Sequence, residues 1–112
     1  MLKTLVQPCL LSLALAATTL QADELQRPST DEATHAILQM MQMPDLEEAQ
    51  VKLGTCVEAV EAQHEGQIAC TLAIKMGAGS SESQADFYRE AGQWVAQPSQ
   101  SQDKLPFPDP AL

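Results

Sequence analysis

Two cysteines are the residues of this sequence best placed to react with each other. Cys56 and Cys70 stand 14 positions apart, whereas Cys9 lies in an N-terminal segment typical of a secretion signal. In an oxidising compartment such a pair forms a disulfide, and closing a loop of about 15 residues stabilises a fold by roughly 3 kcal/mol. The sequence therefore predicts a Cys56–Cys70 disulfide, and it contains no Cys-x-x-Cys redox motif.

A histidine and three methionines are the nearest approach to a metal-binding group in this chain: His35, Met40, Met41 and Met43. Thioethers combined with imidazole select Cu(I), an ion that an exported protein can encounter. Methionine also fills irregular gaps in small cores, and on a helix His35 would not share the face of Met40 and Met43. We therefore expect packing roles and no cofactor, with copper binding as the alternative.

Three glutamates, Glu58, Glu61 and Glu65, would form an acidic stripe along one side of a helix. Such a stripe is either a solvated face or a recognition surface that steers a basic protein partner. The sequence shows no combination of nucleophile, base and acid at a spacing that supports catalysis. We therefore expect a protein that is not an enzyme.

The first 22 residues carry the features of a cleavable signal. Lys3 precedes an apolar run, small or uncharged residues lead to Ala22, and two acidic residues follow. The apolar run, from Leu10 to about Leu20, is shorter than the ~20 residues that a membrane-spanning helix needs. We expect cleavage after Ala22, with Ala17 as the alternative, no membrane span in the mature chain, and a periplasmic or secreted location.

The mature composition limits the class of partner. Residues 23–112 carry five basic and 15 acidic side chains, a formal charge of −10. This charge disfavours nucleic acid and anionic lipid, because both are bound through lysine and arginine. Ninety residues allow a single small domain, whose oligomeric state the sequence does not indicate.

The periodicity of the apolar residues predicts an all-α domain of about four short helices at 29–96. Ser29 and Glu32 form a capping box for the first helix, Asp45 begins the second and Ser81 begins the fourth. Residues 23–28 read as a polar leader. The tail at 97–112 is rich in proline, glutamine and serine, which predicts disorder with polyproline II character.

Residues 67–76 fit two patterns. Ile68, Cys70 and Leu72 begin a strict alternation that is typical of a strand. Ala69 and Ala73 fall with Leu72 on one helical face. A hairpin pairing the two cysteines would centre on Gln63, whereas the turn glycine is Gly66, so we favour a helix and keep an α+β fold with a strand at 67–76 as the alternative.

Two segments resemble the helix pairs of tetratricopeptide and Sel1-like repeats, over about half of the mature chain. Ala49-Gln50 followed by Leu53-Gly54 is similar to the opening of a first repeat helix. The second segment is similar to a later part of the repeat pattern, through Ala69, Leu72, Ala73, Ala85 and Phe87-Tyr88-Arg89-Glu90-Ala91. The resemblance implies antiparallel helix pairs and a protein-binding role. Together these observations predict an exported, non-catalytic protein-binding module of the inhibitor, immunity or accessory-factor type.

Overall fold

The computed structural model describes residues 25–112, so the predicted signal segment and its cleavage site lie outside the described residues. One helix is followed by a four-stranded antiparallel sheet in the order β1-β2-β3-β4. The elements are α1 (Thr30–Met40), β1 (Ala49–Glu58), β2 (Ile68–Met76), β3 (Gly79–Glu90), β4 (Gln93–Pro98) and a short 3-10 helix (Gln102–Lys104). The prediction of an all-α bundle is therefore wrong, and β2 occupies the segment of the strand alternative.

The helix α1 begins where the capping box predicts. Glu32 donates its backbone N–H to Ser29 Oγ at 3.1 Å, and Ser29 donates its own N–H to Glu32 Oε1 at 2.9 Å. Each bond satisfies an N–H that the first turn leaves without a partner. In the described part of the chain no helix is long and apolar enough to cross a membrane.

Strand β1 replaces the predicted second helix because a β-bulge disguises its periodicity. Leu53 pairs with Leu72 and Cys56 pairs with Cys70, so one extra residue is accommodated between Leu53 and Cys56. The bulge keeps both residues against the core, and it turns a two-residue repeat into the spacing of a helix at Ala49, Leu53 and Cys56.

Strand β2 replaces the third predicted helix, and β3 and β4 with the turn between them replace the fourth. Gly77 (φ 59°) and Ala78 link β2 to β3, and Ala91 (φ 53°) and Gly92 (φ 81°) link β3 to β4. The two consecutive positive φ values at Ala91 and Gly92 are those of a type I′ hairpin turn, whose twist matches that of the strands. The helix pairs implied by the repeat resemblance are therefore absent from residues 25–112, where the motif residues lie in strands and a hairpin turn.

The core lies between α1 and one face of the sheet. Helix α1 contacts both edge strands, β1 and β4, so the sheet curves around it. The buried side chains of this face come from every strand and from the helix: Ala33, Ala36, Ile37, Val51, Ile68, Cys70, Leu72, Ala85, Phe87, Trp94 and Ala96.

The C-terminal segment 99–112 covers part of the opposite face. Ser101 Oγ accepts the N–H of Val60 at 2.8 Å, and the Asp109 carboxylate accepts the N–H of Thr55 at 2.9 Å. Leu105 is buried as well. The sequence predicts disorder for this segment, whereas the structure packs it against the sheet through polar anchors rather than through a hydrophobic face.

Candidate functional site

The two edges of the sheet differ in how their backbone groups are used. On β1, Val51 donates its N–H to Thr34 Oγ1 of α1 at 2.9 Å, and the Gly54 carbonyl accepts from Arg27 at 3.0 Å. On β4, no strand within residues 25–112 pairs with the side away from β3. An edge with unpaired N–H and C=O groups is a template for another extended chain. Within residues 25–112, β1 therefore has backbone groups bonded from outside the sheet and β4 has none, although Pro98 at the end of β4 has no N–H to donate.

A groove runs between α1 and β4. It consists of two adjoining hollows of about 300 and 450 Å³, which share His35, Gln93 and Trp94. Asp31 and Glu32 line one end of the groove. At the other end it is lined by Gln39 and Met40 on the helix, and by Val95 and Ala96 on the strand.

A larger cleft of about 700 Å³ opens at the end of the sheet where β4 begins. Its apolar lining includes Leu25, Ile68 and Trp94, and its charged residues are Glu58, Glu65 and Arg89. Because Trp94 lines the groove as well, the cleft and the groove adjoin at this side chain.

The Arg89 guanidinium lies over the Trp94 ring, with 5.2 Å between Cζ and the ring centroid. A cation over an indole is attracted by the negative face of the ring, and an exposed pair of this kind contributes about 0.5–1 kcal/mol. The contact holds Trp94 between the core and the cleft.

The β1–β2 loop, residues 59–67, forms one wall of the cleft and is held by Gln67. This buried side chain accepts the N–H groups of Gln63 and His64 through Oε1, and it donates from Nε2 to Asp86 Oδ2 at 2.7 Å. The His64 ring stacks on Tyr88 with 3.6 Å between centroids. The wall is therefore fixed before any ligand arrives, which lowers the entropy cost of binding.

Asp109 joins the C-terminal segment to the bulge in β1. Its carboxylate accepts hydrogen bonds from the Thr71 hydroxyl and from the backbone of Ala111 and Thr55. The Thr71 hydrogen bond, followed by that of Ala111, lowers the pKa of Asp109 from 3.8 to about 2. The group is therefore a structural anchor, on the opposite face of the sheet from the core.

The structure joins Cys56 to Cys70 and so confirms the predicted disulfide. The two cysteines are directly opposed on β1 and β2. Cys70 is fully buried and Cys56 is partly buried against the core cluster. The bond fixes the two strands just beyond the bulge, where the pairing would otherwise be easiest to shift.

The predicted metal-binding residues are spread over two surroundings. Met40 and Met41 pack against the core, Met43 is 44% exposed, and His35 is exposed on α1. Only His35 and Met40 line the same hollow. Among the described residues no group of three or more His, Cys, Asp or Glu is arranged to hold a metal ion. Copper binding by the methionine segment stays a prediction.

The three glutamates predicted to share a helical face lie instead at the end of β1 and in the loop that follows. Glu58 and Glu65 line the cleft, whereas Glu61 is in the loop outside it. The sequence does not single out four buried polar residues that hold these elements: Gln67, Thr71, Asp86 and Asp109. Their common signal is an isolated polar residue in or beside an apolar run, which becomes meaningful only once the strands are placed.

No family model, no curated protein and no solved structure matches this chain.

Proposed function

We propose that this chain is an exported, non-catalytic protein-binding module of the inhibitor, immunity or accessory-factor type. The observation that carries the proposal is the outer edge of β4, with which no strand of residues 25–112 pairs, beside the groove formed with α1. An extended segment of a partner adds to such an edge as a further strand, and its side chains fill the adjacent groove. The disulfide supports an oxidising location outside the cytoplasm.

The length and charge of the edge define the partner segment. Strand β4 has six residues, which correspond to about 20 Å of extended chain. Residues 25–112 carry 13 acidic and five basic side chains, and Asp31 stands at one end of the groove. A partner with a basic recognition segment is therefore attracted over a distance of about 10 Å at moderate salt.

The test is capture of a partner from an envelope extract of the native host, followed by binding measurements with that partner purified. Gln39→Arg places a large side chain in the groove at an exposed helix position. Gln50→Arg makes the same change at an exposed position on β1, the opposite edge strand. We expect the wild type and Gln50→Arg to bind equally, and Gln39→Arg to bind at least about tenfold more weakly.

Two results would count against the proposal. One is a partner whose affinity is the same for Gln39→Arg and for the wild type. The other is a stable homodimer formed through β4, because a second copy would then cover the edge to which we assign the partner.

A further inference from the structure

We infer that the cleft at the end of the sheet receives a lysine or arginine side chain of the strand bound on β4. This inference rests on the proposed strand addition, and it assigns the chemistry that distinguishes one partner from another. The cleft opens beside the start of β4, because Trp94 lines both the cleft and the groove. A side chain at the end of the added strand is therefore close enough to enter it.

The lining of the cleft fits an amphipathic cation. Lysine and arginine carry an aliphatic stem that packs on apolar surface while the charged end stays near water. Here the stem meets Ile68 and Trp94, which are 2% and 8% exposed. The charged end meets Glu58 and Glu65, both of which are exposed.

The charges at the cleft favour a basic occupant over an acidic one. The cleft is lined by two carboxylates and one cation, Arg89, which lies over the Trp94 ring. The surrounding chain is strongly acidic, so the field at the cleft mouth is negative. A purely aliphatic side chain would fill the apolar part and leave the two carboxylates without a partner from the ligand.

The cleft is large enough to admit a long side chain, and one of its walls is held by contacts within the chain. About 700 Å³ lies within the range of ordinary ligand pockets, and it exceeds what one small side chain requires. Gln67 holds the loop that carries Glu65 through hydrogen bonds to Gln63 and Asp86. The segment that carries Glu65 is therefore held in place before a ligand binds.

The experiment selects peptides from a random phage-displayed library with the purified oxidised protein, prepared from the full chain. The wild type is expected to enrich peptides with strand-forming residues and with Lys or Arg at one fixed position. The variant Glu58→Gln/Glu65→Gln is expected to enrich peptides without a preference at that position. Its matched control is Glu47→Gln/Glu48→Gln, which removes the same charge at exposed residues that do not line the cleft.

A second measurement uses one selected peptide and a copy in which its basic residue is replaced by norleucine. We expect the wild type to bind the norleucine peptide about tenfold more weakly, and the Glu58→Gln/Glu65→Gln protein to bind both peptides alike. Circular dichroism of each variant checks that the sheet is intact.

The outcomes separate this inference from the proposed function. Peptides enriched without a basic position would overturn the cation pocket and leave strand addition at β4 standing. Failure to enrich any peptide would overturn both. A wild-type protein that is dimeric and selects no peptide would assign the β4 edge to a second copy of this chain.

Discussion

At the scale of single residues, Gly54 is the glycine with the closest neighbours in the described part of the chain. A Cβ at this position would lie 2.5 Å from Thr71 Oγ1 and 2.7 Å from Asp109 Oδ2. Both oxygens belong to the hydrogen-bonded group that joins the bulge to the tail. Gly54 therefore lets the polar anchor approach the backbone of β1.

Replacement of Gly54 by alanine is expected to lower the free energy of unfolding by about 1–3 kcal/mol, because the hydrogen bonds of Thr71 and Asp109 must lengthen or break. Gly79→Ala is the control, since its Cβ would meet only the Met76 carbonyl oxygen at an ordinary 3.8 Å. Urea denaturation measures both. Equal stability of the two variants would contradict the close approach.

The Asp109 carboxylate gives the fold a dependence on acid pH. Its pKa falls from 3.8 to about 2 on folding, so the unfolded chain binds a proton more readily than the folded chain. The contribution to stability is complete above pH 3.8 and is lost as the pH falls through 2. We expect Asp109→Asn to remove this part of the pH dependence in denaturation curves recorded between pH 2 and 6.

The control for this experiment is Asp103→Asn, which removes one negative charge at an exposed position of the same segment. Thr71→Val removes the principal cause of the shift and should weaken the same pH dependence while Asp109 stays in place. An Asp109→Asn protein whose stability follows the wild-type curve across this range would contradict the assigned anchor.

At the scale of the elements, one buried amide, Gln67, makes three of the hydrogen bonds that hold the β1–β2 loop. Gln67→Leu leaves the N–H groups of Gln63 and His64 and the Asp86 carboxylate without their partner. We expect it to lower the free energy of unfolding by about 1–3 kcal/mol. The control Gln63→Leu changes an exposed side chain and retains its backbone hydrogen bond, so it should unfold like the wild type.

The same loop explains why the sequence predicts helices where the structure has β1 and β2. The two cysteines do form a hairpin, centred close to Gln63, but the connection has nine residues, from 59 to 67, and needs no glycine at its middle. Its left-handed positions are Glu61 (φ 56°) and Gly66 (φ 75°). Only Gly66 carries the usual signal for such a conformation, because a positive φ is uncommon in glutamate.

Other features show which parts of the fold local chemistry determines. The α1 capping box and the disulfide follow from side chains at fixed spacings, and both are present. The bulge in β1 and the Ala91-Gly92 turn each interrupt the two-residue repeat of the strands. The apolar residues on either side then fall at helical spacing, which predicts a helix. The cleft combines residues from the N-terminal segment, all four strands and a loop, so it emerges only from the tertiary arrangement.

Removal of the disulfide tests the coupling between β1 and β2. We expect Cys56→Ser/Cys70→Ser to lower the free energy of unfolding by roughly 3 kcal/mol, because the unfolded chain regains the freedom of a loop of about 15 residues. Urea denaturation of the wild type with and without a reductant gives the matched comparison. Unchanged stability would contradict a structural role for the bond.

At the scale of the whole molecule, the two edges of the sheet differ in the hydrogen bonds that their backbone groups make within residues 25–112. Thr34 and Arg27 each bond one backbone group of β1, whereas no strand within residues 25–112 pairs with the outer side of β4, which lies beside a groove and a cleft with two glutamates. Natural proteins protect edge strands against unwanted pairing. An edge without a paired strand beside a groove is therefore suited to strand addition by a specific protein partner. We therefore expect the protein partner to bind at the β4 side of the molecule.

Hydrogen exchange of the oxidised protein, alone and with a peptide selected by phage display, tests this location most directly. The account predicts slower exchange of backbone amides in β4 (Gln93–Pro98) when the peptide is bound, and no change in β1 (Ala49–Glu58). Protection confined to β1 or to the C-terminal segment, with β4 unchanged, would contradict strand addition at β4.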